Sequence, residues 1–284
     1  MELKTRMDGQ VAVITGGAQG IGASTGRIMA ELGATVVLAD VNEDGANATA
    51  EAINADGGTA VGVRYDAFDK DAVRGLITDV AGRFGHLDIL HNNVGGSWPD
   101  RDLQVLDIDD DTWLKIFDWN MHTTHWATTA VLPIMLEQGK GSIVNTITGG
   151  AQVGMSIQVA YGSAKGAVSS YTRYVAVQYG RRGIRCNAVN PGLILTPHAV
   201  EVMSEDFKRS LFDQITTVRA GVPDDIGYAV AFLASDAAGY INGEAITVAG
   251  GGPRSSHDAE ALRVGAYGPS VPAPPADLIL PDLH

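Results

Sequence analysis

Apolar positions in the first 252 residues follow two rhythms. Short unbroken runs occur at Val11–Thr15, Thr35–Asp40, Ala60–Tyr65, Ile89–Asn92, Gly141–Thr146, Ile184–Val189 and Ala245–Val248. Several are rich in β-branched residues and only five or six positions long, as expected of strands buried on both faces. Between them lie amphipathic stretches with helical spacing: Gly20–Leu32, Glu43–Ala55, Lys70–Phe84, Thr112–Leu136, Tyr161–Tyr179 and Asp224–Ala234. Strand–helix alternation repeated this often predicts an α/β fold, a doubly wound parallel sheet of about seven strands. Its binding site is expected above the carboxyl ends of the strands. No short fixed period recurs, which excludes a solenoid.

The rhythm stops near residue 252. Six of the eleven prolines fall in the last 32 residues, at 253, 269, 272, 274, 275 and 281. Such a segment cannot build long helices or central strands. The expected organisation is therefore a catalytic domain over 1–252 and a Pro-rich extension over 253–284. The extension is read as docked rather than solvated, because Leu278, Ile279 and Leu280 gain nothing in water. The formal charge of −13 repels phosphate backbones and argues against a nucleic-acid partner. No apolar run reaches the length that spans a bilayer, and residues 1–9 carry no apolar leader. The single cysteine, Cys186, rules out an internal disulfide. A cytoplasmic protein is expected, although one cysteine is compatible with a periplasmic home as well.

Candidate chemistry begins after the first run. Gly16-Gly17-Ala18-Gln19-Gly20-Ile21-Gly22 links a strand to a helix. Small residues let the backbone turn tightly and approach a pyrophosphate, and the helix start offers free N–H groups. Gly16, Gln19, Gly20, Ile21 and Gly22 are thus candidate dinucleotide contacts. Asp40 ends the second run, 18 residues beyond Gly22. A carboxylate there accepts hydrogen bonds from the adenosine ribose hydroxyls and repels a 2′-phosphate. No Lys or Arg stands at 17–19 or 41–42 to neutralise such a phosphate, so the expected cofactor is NAD rather than NADP. Further along, Tyr161 and Lys165 are i and i+4 and share one helix face. An ammonium beside a phenol is expected to lower the tyrosine pKa and make it a usable acid or base.

Together these residues resemble the short, single-domain branch of the short-chain dehydrogenase/reductases. The resemblance covers about residues 7–251. It rests on Thr15–Gly22, Asp66, Asn92-Asn93-Val94-Gly95, Asn120, Tyr161-Gly-Ser-Ala-Lys165, and Asn190-Pro191-Gly192 followed by Thr196. It implies a Rossmann-type domain and reversible hydride transfer between a nicotinamide and an alcohol or carbonyl. It also implies Asn120, Thr148, Tyr161 and Lys165 as the catalytic group, with Asn120 holding a water that relays protons from Lys165. Asp66 and Ala67 would then face the adenine. Asn93, Val94, Gly95, Pro191, Gly192 and Thr196 would line the cofactor, with Lys165 also on its ribose. Thr148 departs from the family pattern, which has serine 13 residues before the tyrosine. Its hydroxyl can still donate to a substrate oxygen, and spacing favours it over Thr146. Val94 replaces the usual alanine and is expected to crowd the adenosine side.

Trp98, Gly149, Gly150, Val153, Met155, His198, Met203 and Phe207 are the candidate substrate pocket. No cation stands among them to clamp a carboxylate. Gly149 and Gly150 are expected to leave room beside the reacting carbon. The expected substrate is a bulky, uncharged, hydrophobic secondary alcohol or ketone, cyclic and aromatic ones included. His122 and His125 have no third ligand positioned by sequence, so no metal is expected. Trp113, Phe117, Trp119 and Trp126, with Tyr171, Tyr174 and Val175, place apolar groups on more than one helix face, which predicts a homotetramer. The competing functions are a 3-oxoacyl thioester reductase and a non-catalytic dinucleotide-binding sensor or scaffold. The first is disfavoured by Asp40 and by the repulsion of an acidic carrier. The second is disfavoured by the intact Tyr161/Lys165 pair.

Overall fold

The computed structural model describes residues 4–202, 208, 212 and 215–252. Met203, Phe207 and the segment 253–284 lie outside the described residues. Seven parallel strands form one sheet in the order β3-β2-β1-β4-β5-β6-β7. They are β1 Val11–Thr15, β2 Thr35–Asp40, β3 Thr59–Arg64, β4 Ile89–Asn92, β5 Gly141–Thr146, β6 Ile184–Pro191 and β7 Ala245–Val248. Alternation within β1 shows why the runs read as unbroken. Val11 and Val13 enter one core, while Ala12 and Ile14 enter the other. Both faces are covered, so both parities are apolar.

The first core lies under α1 (Gly20–Glu31), α2 (Glu43–Ala55) and α9 (Pro223–Ala234), with Ile28, Met29, Ile53, Ile226 and Val230 buried in it. The second lies under α3 (Lys70–Phe84), α5 (Thr123–Gln138) and α7 (Val159–Tyr179), and holds Ile77, Val131, Met135 and Val175. Burying a side chain of this size is worth about 1.5–3 kcal/mol, which makes the two layers the main source of stability.

Several elements differ in their bounds from the sequence reading by one or two residues, and one differs in kind. The stretch expected as one helix over Thr112–Leu136 is α4 (Asp110–Phe117), a π-helical turn at Asp118–His122, and α5. The strand expected at Ala60–Tyr65 is β3 one residue earlier, because Tyr65 turns its ring inward and bonds Thr123 Oγ1 at 2.7 Å. Two short helices, α6 (Gly150–Val153) and α8 (Pro197–Val202), follow β5 and β6. Chain order reverses at β1, which pairs with β2 on one side and β4 on the other. The crevice beyond the carboxyl ends of β1 and β4 is the topological switch point, where open α/β sheets bind ligands.

Candidate active site

The switch point is stitched by side chains from both strands. Thr15 Oγ1 accepts from the backbone N–H groups of Asn93 at 3.0 Å and Val94 at 3.1 Å. Asn93 Nδ2 donates back to Thr15 O at 3.1 Å and Gly16 O at 3.3 Å. At Gly16 and Gly22 this loop is packed so closely that a side chain is excluded. Gly16 has φ +71°, and a Cβ on Gly22 would overlap the carbonyl of Gly16. Such a cradle fits a pyrophosphate lying on the start of α1.

Asp40 stands at the rim of this loop. Its Oδ2 accepts from Ala18 N at 3.1 Å and its Oδ1 from Asn42 N at 3.0 Å. The carboxylate thus braces the loop while keeping lone pairs for ribose hydroxyls. Asp66 Oδ1 accepts from Phe68 N at 3.0 Å, and Ala67 is buried beside it. Val94, expected to crowd the adenosine side, packs its methyls against the core beneath α3 and α5. Across the crevice, Thr196 Cγ2 stands against Gly20, and Thr196 Oγ1 accepts from Ala199 N at the start of α8 at 3.1 Å. Gly192 donates to Val248 O at 3.0 Å, and Ala249 leaves no space for a Cβ on Gly192. That close approach is a packing reason for a small residue at 249.

The catalytic candidates converge beyond β5. Tyr161 is half-buried in the first turn of α7, with the Thr148 side chain near enough to favour its ionised form. Burial pushes the phenol up to about 12, and the neighbouring Thr148 only partly opposes that. The expectation that Lys165 would lower this pKa is therefore corrected, since desolvation wins. Lys165 is 3% exposed, with its Nζ 5.9 Å from the Tyr161 ring centroid and donating to Thr146 O at 2.8 Å. Burial brings its own pKa down to about 8. Thr146 is engaged below the site: its Oγ1 lies 2.9 Å from His91 Nε2. Burial, then the nearby Lys165, holds the His91 pKa down to about 3, so the imidazole is neutral.

Asn120 sits in the π turn, fully buried. Its Nδ2 donates to Ile116 O and to Gly96 O, each at 2.8 Å, and its Oδ1 accepts from Gly96 N at 3.2 Å. A Cβ on Gly95 would collide with both Asn120 Oδ1 and Lys165 Nζ, so the amide and the ammonium flank the same point above Gly95. π turns of this kind are frequent at functional sites.

The family model described as Enoyl-(Acyl carrier protein) reductase matches residues 16–252. The chain belongs to the short-chain dehydrogenase/reductase family. It is 38% identical over 246 residues to a 7alpha-hydroxysteroid dehydrogenase of Bacteroides fragilis, covering 87% of this chain and 95% of the relative. It is 38% identical over 242 residues to a cis-4-hydroxycyclohexanecarboxylate dehydrogenase of Sinomonas cyclohexanicum, covering 85% and 96%. A solved structure of a 7 alpha-hydroxysteroid dehydrogenase complexed with NADH and 7-oxo glycochenodeoxycholic acid superposes with a TM-score of 0.83 at 32% identity, covering 89% of this chain and 98% of that one.

In this member of the short-chain dehydrogenase/reductases, the described residues read as the pocket lie on the loop after β4, around α6 and on α8. Trp98 stacks on Phe68 with ring centroids 6.5 Å apart and meets Trp119 at a tilt, with centroids 5.3 Å apart. Met155 lies over Gly150 and fills the space where a Cβ there would stand, so the room expected beside Gly149 and Gly150 is partly taken. Val153 and Met155 are exposed, as is His198 on α8. Sequence reasoning took Thr15 only as the first residue of the glycine motif, with no role of its own, and did not single out His91. A strand-end threonine or a mid-strand histidine carries no signal of its own until its neighbours are known. Among the described residues no three of His, Cys, Asp and Glu gather as a metal site, and no helix is long and apolar enough to cross a membrane. His122 instead bonds Asp118 at 2.6 Å, and His125 bonds Tyr171 Oη at 3.0 Å.

Proposed function

We propose that this chain is an NAD-dependent dehydrogenase of bulky, hydrophobic, cyclic secondary alcohols, working reversibly on the matching ketones. The observation that carries the reading is the convergence of Thr148, Tyr161 and Lys165 beside a glycine cradle guarded by Asp40. The likeness to hydroxysteroid and hydroxycyclohexane dehydrogenases supports a cyclic substrate.

Residues Gly16 to Gly22 would hold the pyrophosphate, Asp40 the adenosine ribose, Asp66 and Ala67 the adenine, and Asn93, Gly95, Pro191, Gly192, Thr196 and Lys165 the nicotinamide half. When bound, the nicotinamide accepts or supplies the hydride. The chain's own part is proton movement and orientation. Thr148 donates a hydrogen bond to the substrate oxygen. A phenol whose pKa is pushed up to about 12 is protonated near neutrality, so Tyr161 is poised to donate from its Oη to a carbonyl oxygen. In the reverse direction Tyr161 must first release its own proton outward, by way of Lys165 and Asn120, and its phenolate then takes the alcohol proton, a sequence that becomes easier as pH rises. Asn120 and Lys165 flank Gly95 and would carry the replacement proton inward. The acidic surface disfavours an acyl carrier protein as partner.

Assembly as a homotetramer belongs to the same proposal. On α4 and α7, Leu114, Tyr174 and Val177 are 57%, 64% and 82% exposed, an apolar face that a second copy would cover. The domain boundary near 252 and a cytoplasmic location are likewise proposed. The test of function is turnover of a panel of cyclic alcohols with NAD and with NADP, followed at the nicotinamide absorbance. Preference for NADP, or for acyl thioesters over alcohols, would overturn it.

A further inference from the structure

The first turn of α7 carries Tyr161, and it has no cap of its own. Gln158, the residue before it, is the one non-glycine with positive φ among the described residues, at 65°, and its side chain caps nothing. The free N–H groups of the turn are all taken by a segment more than fifty residues upstream. Asp102 Oδ1 accepts from Ala160 N at 2.9 Å, and Oδ2 accepts from Tyr161 N at 3.0 Å. Leu103 O accepts from Val159 N at 3.5 Å, and Asp102 O accepts from Gln158 N at 2.7 Å. By contrast α2, α3 and α4 are capped locally by Asn42, Asp69 and Asp109.

Asp102 is fully buried, although it lies in a stretch crowded with carboxylates. Ser97 Oγ donates to its Oδ2 at 2.9 Å. Ser97 directly follows Gly96, the residue that Asn120 grips from both sides. One short stretch of chain thus joins the π turn holding Asn120 to the helix start holding Tyr161.

We propose that Asp102 is a positioning residue for the reaction: its carboxylate fixes the first turn of α7, and through it the placement of Tyr161 relative to Asn120 and Thr148. The inference rests on the dehydrogenase reading for its effect on rate, but the anchoring itself is independent of that reading. An N-terminal turn with unsatisfied N–H groups frays. A proton donor on a fraying turn loses the alignment that makes its transfer fast. The dinucleotide cradle lies on other elements and is untouched.

The experiment compares wild type with Asp102→Asn, Asp102→Ala and Ser97→Ala, using Asp88→Asn as control. Asp88 accepts from Val11 N at 2.8 Å at the opposite end of the sheet, so it reports what losing a side-chain cap costs away from the site. Asn keeps one acceptor oxygen but turns an N–H₂ toward a donor, so kcat is expected to fall at least tenfold. Asp102→Ala should fall further, and Ser97→Ala less than Asp102→Asn. NAD affinity, measured by fluorescence titration, should stay within twofold throughout. Amide hydrogen exchange at 159–163 should quicken in the Asp102 and Ser97 variants while α3 and α5 keep their protection. The proposal is overturned by unchanged exchange at 159–163, or by a kcat loss no larger than that of Asp88→Asn. If Asp102→Ala does not fold, Asp102→Asn and Ser97→Ala decide. If wild type turns over no alcohol, the functional reading fails while the exchange measurement still judges the anchoring.

Discussion

Lys165→Met should destroy turnover and at the same time change how stability depends on pH. The ammonium is 3% exposed, and burial lowers its pKa from 10.5 to about 8. The folded state therefore holds this proton less tightly than the unfolded chain, and stability rises as pH climbs from 8 to 10.5. At about 1.4 kcal/mol per unit, a shift of about 2.5 units is a penalty of about 3 kcal/mol at pH 7. By pH 10 the folded-state lysine is almost wholly neutral and about a quarter of the unfolded-state lysines have lost the proton, so the penalty shrinks to about 1 kcal/mol. Methionine carries no such penalty, though it leaves Thr146 O without its donor, a cost of about 1–3 kcal/mol that does not vary with pH. The raised pKa of Tyr161 titrates in the opposite sense above pH 10, but it is common to both proteins. Urea unfolding of the two proteins at pH 7, 8, 9 and 10 should show the difference moving by about 2 kcal/mol in favour of the wild type. Parallel curves over that range would mean that burial does not penalise the ammonium, and the account of the site's electrostatics would fail.

Other outcomes follow from single contacts. Thr148→Ser should keep turnover within a few-fold, whereas Thr148→Val, which keeps the shape without the hydroxyl, should lose about a hundredfold in kcat; equal rates would remove the hydroxyl from the mechanism. Asp40→Ala should weaken NAD about tenfold and relieve the rejection of NADP, read by fluorescence titration with each dinucleotide. Gly22→Ala should abolish dinucleotide binding and destabilise the fold by at least about 2 kcal/mol, because its Cβ has no space beside the Gly16 carbonyl. Sedimentation at micromolar concentration should give a tetramer, and a monomer there would refute the assembly.

The strands were legible because burial on both faces leaves little choice of residue: Val11 to Ile14 had to be apolar at every position. The glycine loop was legible for a related reason, since backbone approach excludes side chains at Gly16 and Gly22. Thr148 was picked out only through the family resemblance, which places a hydroxyl 13 residues before Tyr161. The π turn was not legible, because Asp118 to His122 has ordinary helical composition and the inserted residue is set by Asn120 gripping Gly96. Asp102 was equally hidden. Six aspartates lie from 100 to 111, and only the fold shows which one reaches the helix that carries Tyr161. Met155 over Gly150 and the high pKa of Tyr161 are products of packing between distant segments, which no local pattern records.

The central claim is that Tyr161 moves the proton in an NAD-linked oxidation of a cyclic secondary alcohol. Tyr161→Phe keeps the ring and removes only the hydroxyl. With NAD and a panel of hydroxysteroids and substituted cyclohexanols, wild type is expected to raise the nicotinamide absorbance. Tyr161→Phe should bind NAD equally well and lose about a thousandfold in rate. A variant that retains more than a tenth of the wild-type rate, or a wild type that binds NAD and oxidises none of these alcohols, would contradict the account.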